Sequence, residues 1–305
     1  MTDASNHNDE KANVTEHKTS SGKPFSEVDH FINADGNHIF CRYWEPSNTP
    51  QHLMMVTHGY AEHSGRHERL ACMFRDMGFF VFAHDHFGHG ESEGHKVNVD
   101  DYNVYIRDMV QHVNLMKKKF PGLPIHLYGH SMGGALSLLA AHQNPGLFTD
   151  VVLSAPMIAK SPEFSSSIKR FMAEKVAAIF PYLGVAHLDA NAISRDPEQV
   201  ARYVNDKLNY TGKVQVRMAC QLYQIQHAAI QCFPNIDFTF LVIHGSGDRL
   251  CNVEGSKLLH EQAKSTNKTI KIFENGYHEL IHDIDGYDQR FLDDIKQWLN
   301  ERIAT

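Results

Sequence analysis

At 305 residues, 42% hydrophobic and 21% charged, the chain has enough apolar residues for a sizeable core. Its formal net charge of −7 offers nucleic acid no basic field and excludes that class of partner. Five cysteines, an odd count with no Cys-x-x-Cys pair, exclude a disulfide framework and a zinc ribbon and point to a reducing, cytoplasmic home.

In chain order, residues 1–26 are polar and lack an apolar run of signal-peptide length, so they read as a disordered tail with no targeting role. Thr2 excludes N-myristoylation, and the sequons at Asn13, Asn209 and Asn267 read as unoccupied without a secretory leader. Strand patterns follow at Ile39 to Trp44 and Leu53 to Thr57, then a helix over about 67–77 and a strand from Phe79 to Ala83. A long helix over about 104–119 precedes a strand from Ile125 to Tyr128, a small-residue helix over 134–141 and a strand from Val151 to Ser154. Such alternation predicts an α/β fold, a mostly parallel sheet with helices on both faces and a ligand site at the strands' carboxyl ends.

From 157 to 234 helical patterns replace the alternation, which predicts a helical cap inserted into a core of residues 27–156 and 235–305. Phe164, Ile168, Phe171, Met172, Val176, Ile179 and Phe180 recur there at helical spacing, with Lys169, Arg170, Glu174 and Lys175 between them. Nine Lys and Arg against six Asp and Glu make the cap +3, which leaves −10 for the rest of the chain. A cationic lid with an apolar stripe suits peripheral contact with an anionic lipid surface; the plainer reading packs the stripe on the sheet. Asp196-Pro197-Glu198 reads as an N-cap with proline at the first helical position, opening a helix that carries Tyr203. Strands resume at Thr239 to Ile243 and Thr269 to Phe273, before a last helix.

The chemistry centres on Gly129-His130-Ser131-Met132-Gly133, which stands between a strand and a helix. In that context the pentapeptide is a tight turn that lifts Ser131 out of the backbone as a nucleophile. The helix N-terminus beneath it, through the backbone N–H of Met132, faces a developing oxyanion. The remaining members are expected in the order acid, then base, each after a later strand. Asp248 follows Thr239 to Ile243 and is the acid; His278 follows Thr269 to Phe273 and is the base. Asp237 precedes its strand, Asp283 and Asp285 come after the histidine, and His282 is the competitor for the base. The second oxyanion donor is expected on the loop His58 to His63, at the N–H of Tyr60.

Several motifs together resemble the monoacylglycerol lipase family of α/β-hydrolases: His58-Gly59, Glu62-His63-Ser64-Gly65-Arg66, Ala83-His84-Asp85-His86-Phe87-Gly88-His89-Gly90 with Ser92-Glu93-Gly94, the Ser131 pentapeptide with Gly134, and Gly247-Asp248-Arg249-Leu250-Cys251. The likeness runs from about Asn33 to the last helix and is weakest between about Lys160 and Pro234. It implies a serine esterase that cleaves monoacylglycerols to fatty acid and glycerol with no cofactor. It also implies that Glu62, Arg66, His130 and Tyr203 surround the glycerol, while cap residues line the acyl channel. One departure is Tyr60, where the family has a small residue; its N–H still serves, and the width of the pocket beside it is left open. Glu62 and Arg66 are equally spaced for an ordinary surface ion pair.

Other readings are a broader carboxylesterase or lysophospholipase of the same fold, a metal-dependent hydrolase, and a non-catalytic ligand-binding protein. His84, His86 and His89 have the His-x-His-x-x-His spacing of metallo-β-lactamase-like proteins, although Gly88 stands where that motif has an aspartate. No member of the triad is missing, which speaks against the binding protein. Oligomeric state is not legible at this level.

Overall fold

The computed structural model describes residues 16–159 and 167–303. Phe164 of the expected stripe lies outside the described residues, as do the side chains of Ile168, Lys169 and Arg170.

Ten strands are described: β1 (His30–Ile32), β2 (His38–Trp44), β3 (His52–Thr57), β4 (Phe79–His84), β5 (Ile125–His130), β6 (Asp150–Ser154), β7 (Gly184–His187), β8 (Lys213–Gln215), β9 (Phe240–Gly245) and β10 (Lys268–Phe273). Interleaved with them are α1 (Glu68–Asp76), α2 (Asn103–Lys119), α3 (Met132–Gln143), α4 (Ser167–Ile179), α5 (Pro197–Asn205), α6 (Val216–Cys232), α7 (Glu254–Gln262) and α8 (Tyr287–Ile303). Eight strands form one sheet in the order β1-β2-β4-β3-β5-β6-β9-β10. β2 pairs antiparallel with β1 and β4, and every pair from β4 to β10 is parallel.

The central strands read as unbroken apolar runs because both faces are covered. Along β3, Leu53 and Met55 enter one core with Tyr105, Met109 and Val113 of α2 and Leu136 and Leu139 of α3. Met54 and Val56 enter the other, with Leu70 and Phe74 of α1 and Phe291, Ile295 and Leu299 of α8. Each fully buried large side chain contributes roughly 1.5–3 kcal/mol, so the covered sheet dominates stability and sets the site's geometry.

Three features depart from the expectations. First, residues 16–26 are not a disordered tail: Lys18 bridges Pro24, Phe25 is 2% exposed, and Ser21 N–H donates to Glu91 at 2.8 Å. Composition hid a single buried aromatic that anchors an otherwise polar segment.

Second, β1 and the pair β7–β8 have no counterpart in the pattern reading; strands of three or four residues are too short for a periodicity. An Asx turn closes the β1–β2 hairpin, with Asn33 Oδ1 accepting from the N–H groups of Asp35 and Asn37 at 3.0 Å and Gly36 at φ +82°.

Third, α6 belongs to the main core: Met218, Ile225 and Ala229 pack with the α3 residues, so the insertion between β6 and β9 is not a body apart. Four residues of the stripe face outward, against the plainer reading. Ala173, Val176 and Ala177 of α4 pack on Val216 and Cys220, while Phe171, Met172, Ile179 and Phe180 are more than half exposed. Asp196 does cap α5, accepting from Glu198 N–H at 2.9 Å.

Candidate active site

Ser131 follows β5 and caps the start of α3 with φ +54° and ψ −119°, a positive-φ conformation that a serine adopts only where its surroundings enforce it. Its N–H donates to Ser154 O and its carbonyl accepts from Met157 N–H, both at 3.0 Å, which lock the turn. The flanking glycines are needed for closeness. A Cβ on Gly133 would run into the carbonyl oxygens of Thr57 and His58, and one on Gly59 would lie 3.0 Å from Ser131 Cβ. The loop after β3 therefore sits directly against the serine.

Asp248 follows β9 and has four donors. Oδ1 accepts from Leu250 N–H at 2.8 Å and Cys251 N–H at 2.9 Å; Oδ2 faces His278 Nδ1 at 2.7 Å and His244 Nε2 at 3.1 Å. Burial works to raise the Asp248 pKa, but His278, then His244, outweigh it and hold the carboxyl below its usual range. For His278 burial works to lower the pKa; Asp248 prevails, and the imidazole titrates above its ordinary value of 6.5. The His130 ring lies tilted against that of His278 with centres 4.7 Å apart, and burial pushes its pKa down to about 3, so it adds no second positive charge there.

Ser131, His278, Tyr60, Glu62, His130, Tyr203 and Cys251 line one cleft. Its apolar wall includes Met157, Leu188, Ile193, Leu222 and Leu250. Met132 is fully buried beneath the serine. The hydroxyl of Tyr60 is buried in its wall with no partner among the described residues.

Arg66 is not among the residues that line this cleft. Its Nε lies 3.1 Å from Glu62 and its terminal nitrogen 2.5 Å from Glu279, with the guanidinium stacked 4.9 Å from the centre of the Tyr203 ring. Two of its nitrogens are engaged by the two carboxylates, which places it behind Glu62 and Glu279 and not on the cleft wall. The surface ion pair is corrected: the side chains of Glu62, Arg66 and Glu279 are 5%, 9% and 7% exposed. Burial works against the charge on both glutamates, yet His67, His130 and Arg66 hold Glu62, and Arg66 and His282 hold Glu279, well below the normal carboxylate range. Glu62 also accepts Gly59 N–H at 2.6 Å, and Tyr203 donates its hydroxyl to Ala61 O at 3.3 Å. Both bonds hold the loop that carries Tyr60.

His282 pairs with Glu279 at 2.9 Å and not with Asp248; Asp283 and Asp285 pair with Arg195, and Asp237 is exposed before β9. The metal alternative is not assembled. His84 faces His112, His86 faces the carbonyl of His58 and His89 that of Phe87, each at 3.2 Å. The five cysteines are free thiols.

Two residues escaped the sequence reading. His244 is fully buried and bonds Asp248, Cys251 O and Ser256; its signal was the four-residue spacing His244 to Asp248 at a strand end. Glu279 lines the cleft beside His278, and no spacing rule pointed to it.

Residues 48–285 match the family described as serine aminopeptidase, S33. Over 288 residues, 94% of this chain and 95% of that protein, the chain is 40% identical to monoglyceride lipase of Homo sapiens. The chain belongs to the monoglyceride lipase family. It is also 33% identical to a monoacylglycerol lipase of Mycolicibacterium smegmatis, covering 88% of this chain and 95% of that one. The crystal structure of a Paleococcus ferrophilus monoacylglycerol lipase superposes with a TM-score of 0.76 at 28% identity, over 86% of this chain and 98% of that one. Membership in this α/β-hydrolase family accounts for the parallel sheet, with Ser131, Asp248 and His278 following the carboxyl ends of β5, β9 and β10.

Proposed function

We propose that this chain is a serine hydrolase that cleaves monoacylglycerols to a free fatty acid and glycerol, with Ser131 as nucleophile, His278 as base and Asp248 as its orienting acid. The observation that carries the reading is the 2.7 Å bond between His278 Nδ1 and Asp248, beside a serine held at φ +54° on the same cleft. Asp248 fixes the Nδ1–H tautomer, which leaves Nε2 to take the Ser131 proton as Oγ attacks the ester carbonyl. Charge on the carbonyl oxygen is met by the N–H groups of Met132 and Tyr60. The tetrahedral adduct collapses, glycerol leaves with the proton from His278, and water attacks the acyl-Ser131 ester by the same route to release the fatty acid.

The reading of the substrate class is supported by the mixed lining of the cleft. Glu62, His130, Tyr203 and Glu279 offer polar groups to the glycerol hydroxyls, and Met157, Leu188 and Leu222 offer apolar surface to the acyl chain. A second acyl chain would replace one of those hydroxyls and leave buried groups unpaired, at about 1–3 kcal/mol each. Supporting a lid that docks on lipid are the exposed Phe171, Met172, Ile179 and Phe180. No described helix is long and apolar enough to cross a membrane; the contact we propose is peripheral.

The test is a product assay on mono-, di- and triacylglycerols and lysophospholipids of one chain length. Monoacylglycerol should be hydrolysed at least about tenfold faster than diacylglycerol, the equivalent of one unpaired buried group. Equal rates would make the chain a broader carboxylesterase, and a lysophospholipid preference would move it to that class.

A further inference from the structure

Away from the cleft, the N-terminal segment meets the sheet at a cluster of three metal-ligating side chains. His17 Nδ1 lies 2.6 Å from Glu93 Oε1, and His38 Nδ1 lies 3.1 Å from Glu93 Oε2. The two imidazole rings stack 4.3 Å apart. Among the described residues, His17, His38 and Glu93 are the one group of His, Cys, Asp and Glu whose ligand atoms all lie within 4.8 Å of one another.

The surroundings hold the group in place. His38 is at the start of β2, and its N–H donates to Glu93 at 2.6 Å; Phe25, buried, stacks 5.0 Å from the His38 ring. His17 arrives on a segment otherwise fastened by Phe25 and by Ser21 N–H on Glu91.

We propose that His17, His38 and Glu93 form a site for a divalent transition metal of the zinc class, which latches residues 16–25 to the sheet edge. Both Nδ1 atoms already face one carboxylate. Moving each ring proton to Nε2 loses no proton overall and turns two N–H donors into two lone pairs beside that carboxylate. Zinc takes imidazole and carboxylate at about 2.0–2.2 Å, which spaces tetrahedral ligands by about 3.3 Å. The three ligand atoms already lie within 4.8 Å of one another, the exposed His17 can move to close the remainder, and water completes the shell. Two imidazoles favour zinc over calcium or magnesium, which prefer all-oxygen sites. The metal's role here is structural, and no step of ester hydrolysis passes through it.

The experiment is a calorimetric titration of zinc chloride into the metal-stripped full chain, with His17→Ala, Glu93→Gln and, as a control for the other histidines, the exposed His187→Ala. Wild type and His187→Ala should bind one more zinc per chain than His17→Ala, or bind the tightest zinc at least about tenfold more strongly. Zinc should also raise Tm and slow trypsin cleavage at Lys18 and Lys23 in the wild type, and do neither in His17→Ala. His17 is exposed, so its loss leaves the fold intact; Glu93→Gln checks the carboxylate. Equal stoichiometry and affinity in wild type and His17→Ala, or no binding at all, overturns the proposal.

Discussion

Replacing Arg66 by Met tests whether the Glu62–Arg66–Glu279 group acts as a buried network. One cation bridges two carboxylates at 3.1 and 2.5 Å, with all three side chains less than a tenth exposed. At an effective dielectric near 20, each contact is worth about 5 kcal/mol of direct attraction, most of it cancelled by desolvation. Met removes both contacts and leaves two buried carboxylates facing each other, so the expected loss is about 3–5 kcal/mol at pH 7. In the wild type both glutamates titrate below their ordinary range, so their stabilisation is present above pH ~4.5 and is lost as pH falls through the lower folded values. In Arg66→Met a carboxyl pKa rises, so protonation relieves the repulsion and the deficit should be smaller at pH 5 than at pH 8. Adding Glu62→Gln removes one negative charge and should recover about 1–3 kcal/mol of coupling. Urea unfolding at unchanged slope is the assay. A loss under about 1 kcal/mol, the value of an exposed pair, or strict additivity of the two substitutions, would refute the network.

Ser131→Ala should fold normally and lower kcat by about 10⁴–10⁶-fold, whereas full activity would end the serine-hydrolase reading. His278→Ala should do comparable damage and His282→Ala much less, since His282 pairs with Glu279; the reverse ranking would reassign the base. Because His278 must be neutral to accept a proton and titrates above 6.5, the acid limb of kcat/KM should lie above pH 6.5 and be insensitive to chelators. A limb below pH 6, or loss of activity with chelator, would count against this. The same raised pKa gives stability that is complete below about pH 6.5 and is lost as pH rises through the folded value. Cys251 Sγ lies 3.9 Å from Ser131 Oγ, but burial and then Asp248 push its thiol pKa far up, so maleimide should label half-buried Cys72 before Cys251. Mass spectrometry of partly labelled protein gives the order, and Cys251 reacting first would show that the loop opens. Tyr60→Phe should stabilise by up to about 1–3 kcal/mol by removing an unpartnered buried hydroxyl; a Tm drop would mean that the hydroxyl is satisfied in solution.

By itself the sequence determined the alternation of strands and helices, because buried parallel strands must be apolar on both faces, and it ordered Ser131, Asp248 and His278 after three strands. A nucleophile turn needs small neighbours, and Gly129 and Gly133 announce it locally. Tertiary structure alone decided which side of the α4 stripe is covered, because helical periodicity marks an amphipathic face without naming its partner. It alone placed Arg66 behind the cleft, since spacing of four residues is the same for an exposed pair and a buried one, and the difference is Glu279, distant in sequence. His17 against Glu93, 76 residues apart, is likewise a meeting of distant segments that no local pattern encodes. Such contacts depend on how the sheet edges and loops pack, and that packing is set by burial summed over the whole chain.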